Sequence, residues 1–335
     1  MTEKSKQNIL VIGGAGYIGS VLVRKLLMSG FRVTALDNLL YNNGCSIAPL
    51  IEKKSFQFIK GDFCDKKTAG IALADSDHVV LLAALVGDPL CKKYPDEAVR
   101  VNEKGTMELL DMANDYKIGR FVFMSTCSNY GLRDDDSPAD EGAELNPKSL
   151  YAETKVKVER YLIENSETLS YNPVILRCAT AMGQSYRMRF DLTVSEFTRE
   201  LMLERELLVY DENTWRPYCH VSDISDAIVM ALKADKETVS GEVFNVGSDT
   251  ENYTKKMLVD IMSKKIPGTR IKIKEGGGDP RNYRVSFDKV RRALGFEIEY
   301  NVSTTIEYLT EAIRSGLYDD VESRKEYYGN YHLPV

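Results

Sequence analysis

The run "VIGGAGYIGS" constrains this chain more than any other stretch. Gly13, Gly16 and Gly19 follow a short apolar run, "NILVI" (8–12), which reads as a strand, and they lead into a helical pattern over 17–29. Each glycine has a separate task in such a turn: a tight bend, room for a backbone to approach an anion, and close packing of helix on sheet. The N–H groups at the start of the helix then face an anion such as a pyrophosphate. A glycine pattern alone is weak evidence, but a strand before it and a helix after it supply the required context.

The chain continues in the same rhythm. Apolar runs at 31–36, 56–59, 78–82, 120–124 and 173–177 read as strands, separated by helical patterns near 65–74, 94–116 and 149–168. Strands alternating with helices imply right-handed crossovers and a parallel, doubly wound sheet. Beyond residue 178 helices at about 192–205, 223–234, 254–264 and 302–314 alternate with short strands and glycine-rich loops such as "EGGGDP" (275–280), which reads as a smaller mixed α/β lobe. The segments near 218–231 and 243–247 are expected to return to the first domain.

Composition narrows the class. Apolar residues make up 43% and charged residues 28% of 335, an ordinary globular balance that is too apolar for disorder. The net charge of −6 is scattered, with no basic stripe interleaved with aromatics, which argues against nucleic acid as a partner. The longest apolar run, Val79 to Val86, falls far short of the ~18 residues of a membrane span. The polar start "MTEKSKQ" is not a signal peptide, and six scattered cysteines without a Cys-x-x-Cys suggest neither a metal site nor a disulfide framework. A reduced cytosolic protein is expected.

Asp37, in "ALDNL" at the end of the second strand, can accept both hydroxyls of a ribose and would repel a 2′-phosphate, which points to NAD over NADP. Asp62 in "KGDF" is placed either to bind adenine or to cap a helix. Asn102, a poor helix former within a helical stretch, is expected to brace the site from inside. The fifth strand runs into "STCSNYG" (125–131), putting hydroxyls where ligands of such sheets bind. Tyr151 and Lys155 in "YAETK" share a helix face.

These motifs, with "LAA", "VNEKGT", "RPYCHVSD", "FNVGS" and "VSFDKVRRALGF", resemble the extended short-chain dehydrogenase/reductases, specifically the NAD-dependent nucleotide-sugar epimerase/dehydratase family, over nearly the whole chain. The resemblance implies a Rossmann domain of residues 1–177 plus about 217–247, and a nucleotide-sugar lobe of about 178–216 plus 248–335. It implies NAD held along Gly13, Gly16, Tyr17, Ile18, Gly19, Asp37, Asn38, Asp62, Phe63, Leu82, Ala83, Ala84, Asn102, Lys155 and Cys178. Tyr151 is the implied acid–base, its phenol lowered toward working pH by Lys155 and the nicotinamide charge. Thr126 holds the sugar oxygen, and Lys155 also grips the nicotinamide ribose. The substrate is a nucleotide-diphosphate sugar, met by Thr126, Cys127, Tyr151, Thr180, Arg187, Arg216 and Arg281. A homodimer through the helices at 94–116 and 149–168 follows by the same analogy.

Two features select within the family. Its dehydratases place an Asp-Glu pair directly after the threonine, whereas this chain has Cys127 and Ser128. Oxidation and reduction at one carbon, C4, remain: a 4-epimerase, or a C4 dehydrogenase that releases its ketone. A non-catalytic NAD sensor ranks behind, because tyrosine, lysine and threonine are all present. Arg216 matches the family's diphosphate-binding arginine, and Thr180 stands where many epimerases have asparagine. Arg187 and Arg189 either bind an anion or form a solvated basic loop. His220 reads as structural, the acidic run 133–141 as a solvated loop without metal, and the aromatic run 327–334 has no assigned role.

Overall fold

A computed structural model describes residues 6–133, 137–277 and 281–333. Parts of the acidic loop (134–136) and of the glycine-rich loop (278–280) lie outside the described residues. The described residues form twelve strands: β1 (Asn8–Ile12), β2 (Arg32–Asp37), β3 (Phe56–Lys60), β4 (His78–Leu81), β5 (Arg120–Thr126), β6 (Asn172–Cys178), β7 (Thr180–Met182), β8 (Glu206–Tyr210), β9 (Trp215–His220), β10 (Glu242–Val246), β11 (Asn252–Thr254) and β12 (Arg270–Lys274). Seven of them make one parallel sheet in the order β10-β6-β5-β4-β1-β2-β3.

The inner strands of this sheet are apolar on both faces because both faces are covered. On one side Leu22, Leu26, Ile224 and Ile228 pack against Val11, Val80 and Val122; on the other Leu73, Leu109, Val158 and Leu162 pack against Leu10, Leu81 and Phe123. Strand order reverses between β1 and β4, so a crevice opens at their carboxyl ends, where doubly wound sheets bind ligands.

The remaining strands form two small sheets, β11-β9-β7 and β12-β8. They share a separate core in which Phe190, Phe197, Tyr218, Leu258, Ile306, Leu309, Tyr327 and Tyr328 pack together. Strand β10 does return to the large sheet, and the helix Val221–Lys233 packs on it, but β9 stays with β7 and β11. The helix expected over 94–116 is a broken one. Segments Asp88–Lys93 and Pro95–Val99 precede one wide π turn, Arg100–Gly105, before Thr106–Ala113 resumes regular geometry. No described helix is long and apolar enough to cross a membrane.

Candidate active site

The glycines of the first turn divide their work as steric demand requires. Gly13 has φ +88°, and a Cβ on it would come 2.8 Å from the Ala83 nitrogen, so the loops after β1 and β4 touch backbone to backbone. A Cβ on Gly19 would lie 2.0 Å from the Gly13 carbonyl oxygen, which fixes the helix start against the turn. At Gly16 the added carbon meets only that same oxygen, at 3.2 Å. The space beside Gly16 is therefore the open cradle of the loop.

Asp37 stands across this loop with both oxygens engaged. Oδ2 accepts from the Ala15 N–H (3.0 Å) and Oδ1 from the Leu39 N–H (2.8 Å). Burial pushes its carboxyl up, while these two bonds, Asn43 and the Arg187 charge oppose the rise. Asn43 and Ser46, which sequence reading did not single out, both donate to the Ala15 carbonyl at 2.8 Å. The Asn43 Oδ1 is buried without a partner beside Asp37. An open glycine cradle, a carboxylate at the end of β2 and an orphaned buried acceptor together fit a dinucleotide. Tyr17 spends its hydroxyl on the Gly183 carbonyl (2.6 Å), and Ile18 packs between two cores, so both would meet a ligand through backbone. Asn38 closes an exposed turn by accepting from the Leu40 N–H (3.0 Å).

Asp62 does not fill the cap role, one of its two expected readings. The helix Lys66–Ala74 is capped by Asp65, whereas Asp62 accepts from the Cys64 N–H (2.9 Å) and pairs with Arg100 (3.2 Å). Phe63 is turned into the core. Asn102, on the π turn, does brace the site: it accepts from the Leu85 N–H (2.7 Å) and donates to the Leu85 carbonyl (2.9 Å), holding the segment that follows Leu82, Ala83 and Ala84.

Thr126 ends β5, its hydroxyl accepting from the Ser128 N–H at 3.1 Å. Ser149 caps the helix Leu150–Glu164, whose first turn carries Tyr151. One turn on, Lys155 is buried and donates to the Met124 carbonyl (2.9 Å), two residues before Thr126; its ammonium lies 5.9 Å from the Tyr151 ring centre. Burial lowers Lys155 to about 8, against a raising influence of Glu159. The expected lowering of Tyr151 by Lys155 is not what the protein alone provides. Burial raises the phenol, and the neighbouring Cys91 and Asp88 raise it further, with Arg189 opposing.

A buried polar network lies beneath these residues. Glu159 accepts from Ser125, from Asn129 (2.7 Å) and twice from Arg177 (2.9 and 2.7 Å). Arg177 continues to the Tyr130 hydroxyl (3.1 Å), which donates to Asn245 (2.7 Å). Glu159 repeats the Tyr151–Lys155 spacing one further turn along the helix, the signal by which sequence could have found it.

On the substrate side, Cys127 is corrected. It is 1% exposed in the main core with its thiol against the Arg177 carbonyl, because the turn after β5 points Ser128 outward instead. Ser128 meets Arg281 (3.3 Å) and Tyr283 (3.4 Å), and Arg281 pairs with Asp88 at 2.7 Å. Arg216 is buried, donating to the carbonyls of Trp215 (2.7 Å) and Arg281 (2.6 Å) over the Tyr283 ring. Cys178 contacts the Met124 sulfur, and Thr180 opens β7 half-buried. The basic loop is not solvated. Arg189 forms a buried pair with Asp191, and Arg187 is 3% exposed over the Tyr41 ring. His220 is structural, capping Val221–Lys233 and stacking on Tyr300.

The NAD dependent epimerase/dehydratase family profile matches residues 9–247. The chain belongs to that family. Among curated relatives, dTDP-glucose 4,6-dehydratase of Streptomyces niveus is 31% identical over 298 residues, covering 86% of this chain and 87% of its own. UDP-glucose 4-epimerase of Lactobacillus helveticus is 28% identical over 319 residues, covering 89% and 94%. UDP-glucuronic acid 4-epimerase of Bacillus cereus, solved with UDP-glucuronic acid and NAD, superposes with a TM-score of 0.84 at 25% identity over 92% of this chain and 99% of that one.

Proposed function

We propose that this family member acts at C4 of a nucleotide-diphosphate hexose or heptose, as a 4-epimerase working through a transient 4-keto sugar. The observation that carries the reading is the edge of β5. Lys155 bonds Met124, two residues before Thr126, and lies beside the Tyr151 ring, while the two positions after Thr126 hold a buried Cys127 and Ser128 in place of the carboxylates that a dehydration needs. The dehydratase relative is similar in sequence but this chemistry is not supplied at those positions.

NAD, when bound, supplies the hydride acceptor and donor, and its positive ring favours the phenolate that burial alone disfavours. Tyr151 takes the proton of the C4 hydroxyl and returns it to the inverted alcohol; Thr126 holds that oxygen in line. Lys155, pinned by the Met124 carbonyl, fixes the helix face that presents Tyr151 and reaches the nicotinamide ribose. Asp37 with Ala15 forms the ribose end of the cleft, and the Gly16 cradle takes the pyrophosphate. Arg187, Arg216, Arg281 and Thr180 meet the nucleotide diphosphate and sugar. In this reading residues 1–177 with about 221–247 hold NAD and the remainder, β9 included, holds the sugar nucleotide, in a cytoplasmic homodimer.

A nucleotide sugar deuterated at C4 tests the reaction. An epimerase yields the C4-inverted product with deuterium retained and a primary isotope effect. Loss of the C6 hydroxyl, or release of the ketone with equivalent reduced cofactor, contradicts it.

A further inference from the structure

The segment after the last described helix, Val302–Arg314, makes contacts with both the smaller lobe and the Rossmann domain. At one end Arg324 and Tyr327 lie against Cys45, next to the Asn43 and Ser46 that hold Ala15. In the middle, the Tyr328 carbonyl accepts from the Phe190 N–H (2.7 Å), the Asn330 N–H donates to Asp191 (3.1 Å), and the Tyr327 hydroxyl donates to the Tyr186 carbonyl (2.8 Å). At the far end His332 meets the Lys93 ammonium (2.8 Å), and Leu333 packs on the small cluster of Leu85, Leu90, Cys91 and Ala98 that also receives Tyr151. The segment thus touches both the Asp37 end and the Tyr151 end of one crevice.

The seam beneath it is incompletely bonded. Arg187 Nη2 reaches the Glu326 and Gly329 carbonyls only at 3.5 and 3.4 Å, and its Nε is buried without a partner, as is the Asn330 Oδ1. A guanidinium 3% exposed with such weak acceptors is set to take an anionic oxygen. Its charge is already felt at Asp37.

We propose that residues 324–333 form a strap that seals the dinucleotide in its cleft through both halves of the reaction, Leu333 closing the Tyr151 end while Arg187 exchanges strap carbonyls for a phosphate oxygen of the sugar nucleotide. This rests on the epimerase reading, which requires one cofactor to stay bound from oxidation to re-reduction. It gives the aromatic run of the sequence a task, since Tyr327 and Tyr328 anchor the strap in the smaller core.

The test is cofactor exchange, which needs no sugar. Protein loaded with NAD is diluted into an excess of a fluorescent NAD analogue, and uptake is timed for wild type, for Leu333→Asp and for a chain ending at Gly329, which keeps Tyr327 and Tyr328. The strap predicts exchange faster by about ten-fold or more in both variants, the scale of one partly buried leucine lost from a closed contact. Exchange at the wild-type rate in Leu333→Asp overturns the strap alone, whatever the shortened chain does. A wild-type chain that takes up neither NAD nor the analogue overturns the parent reading, and the strap with it.

Discussion

The two sides of the cleft are built by different means. The cofactor side comes from segments that follow β1, β2 and β4 in turn, within residues 13–102, and is shaped by backbone: a glycine cradle, an Ala83–Gly13 approach, an Asn102 clasp on Leu85. The substrate side joins residues 128, 187, 216, 281 and 333 from distant parts of the chain, and is shaped by buried arginines and their partners. Between them runs the helix Leu150–Glu164, whose Tyr151, Lys155 and Glu159 face the cleft, the floor and the buried Arg177 respectively. Backbone-made sites announce themselves locally, whereas side-chain-made sites depend on long-range packing.

Substitutions can break this contrast at points of decreasing effect. Tyr151→Phe removes the proton acceptor without touching the backbone cradle: turnover should fall about 10²–10⁴-fold while NAD affinity persists, measured by product assay and by titration. A mutant with near-normal turnover would displace Tyr151 from its role. Glu159→Gln strips the counter-charge from a buried Arg177, an ion pair 4% and 1% exposed. Melting and denaturant titration should show a loss of ~3–5 kcal/mol, and a change under about 1 kcal/mol would mean that the network is replaceable.

Lys155→Met should separate stability from function. In the folded chain the ammonium titrates near 8 instead of 10.5 because it is buried, so below pH 8 the wild type carries the full cost of charging it. As pH rises from 8 to 10.5 the folded chain has shed that proton while the unfolded chain still holds it, and wild-type stability rises. The methionine variant should therefore be inactive yet more stable by up to about 3 kcal/mol at pH 7, with the advantage shrinking across that window. An advantage independent of pH would contradict the assignment. The smallest effect is expected at the rim of the cradle: Asp37→Ala should relax preference for NAD over NADP by about ten-fold, and unchanged selectivity would remove Asp37 from the ribose.

The sheet was legible because two-sided burial leaves continuous apolar strands, and because a strand–glycine turn–helix pattern admits few alternatives. Asp37 and Thr126 were read from their places at strand ends, Tyr151 and Lys155 from one helix face, and Asn102 from being a poor helix former within a helical stretch. Other features left no local trace. The π turn at Arg100–Gly105 hides in an unremarkable helical pattern, and its Asn102 reaches Leu85, a partner that pattern does not show. Cys127 and Ser128 differ in direction by one residue of a turn that composition cannot orient. Asp62 lost its cap role to Asp65 three positions on, a boundary shift beyond what pattern resolves. A solvated loop stood as one of two readings of Arg187 and Arg189 because Asp191, Tyr41 and the strap that bury them are not legible as neighbours. Asp88, paired with Arg281 across the cleft, was missed for the same reason.

The most direct measurement is proton NMR of the NAD-loaded protein with UDP-, dTDP-, CDP- and GDP-linked hexoses and heptoses, with reduced nicotinamide followed by absorbance in the same samples. The account predicts a new anomeric signal from a C4-inverted sugar nucleotide with no net accumulation of reduced cofactor. A 4-keto product appearing with equivalent reduced cofactor, or a 6-deoxy-4-keto product with none, would contradict it.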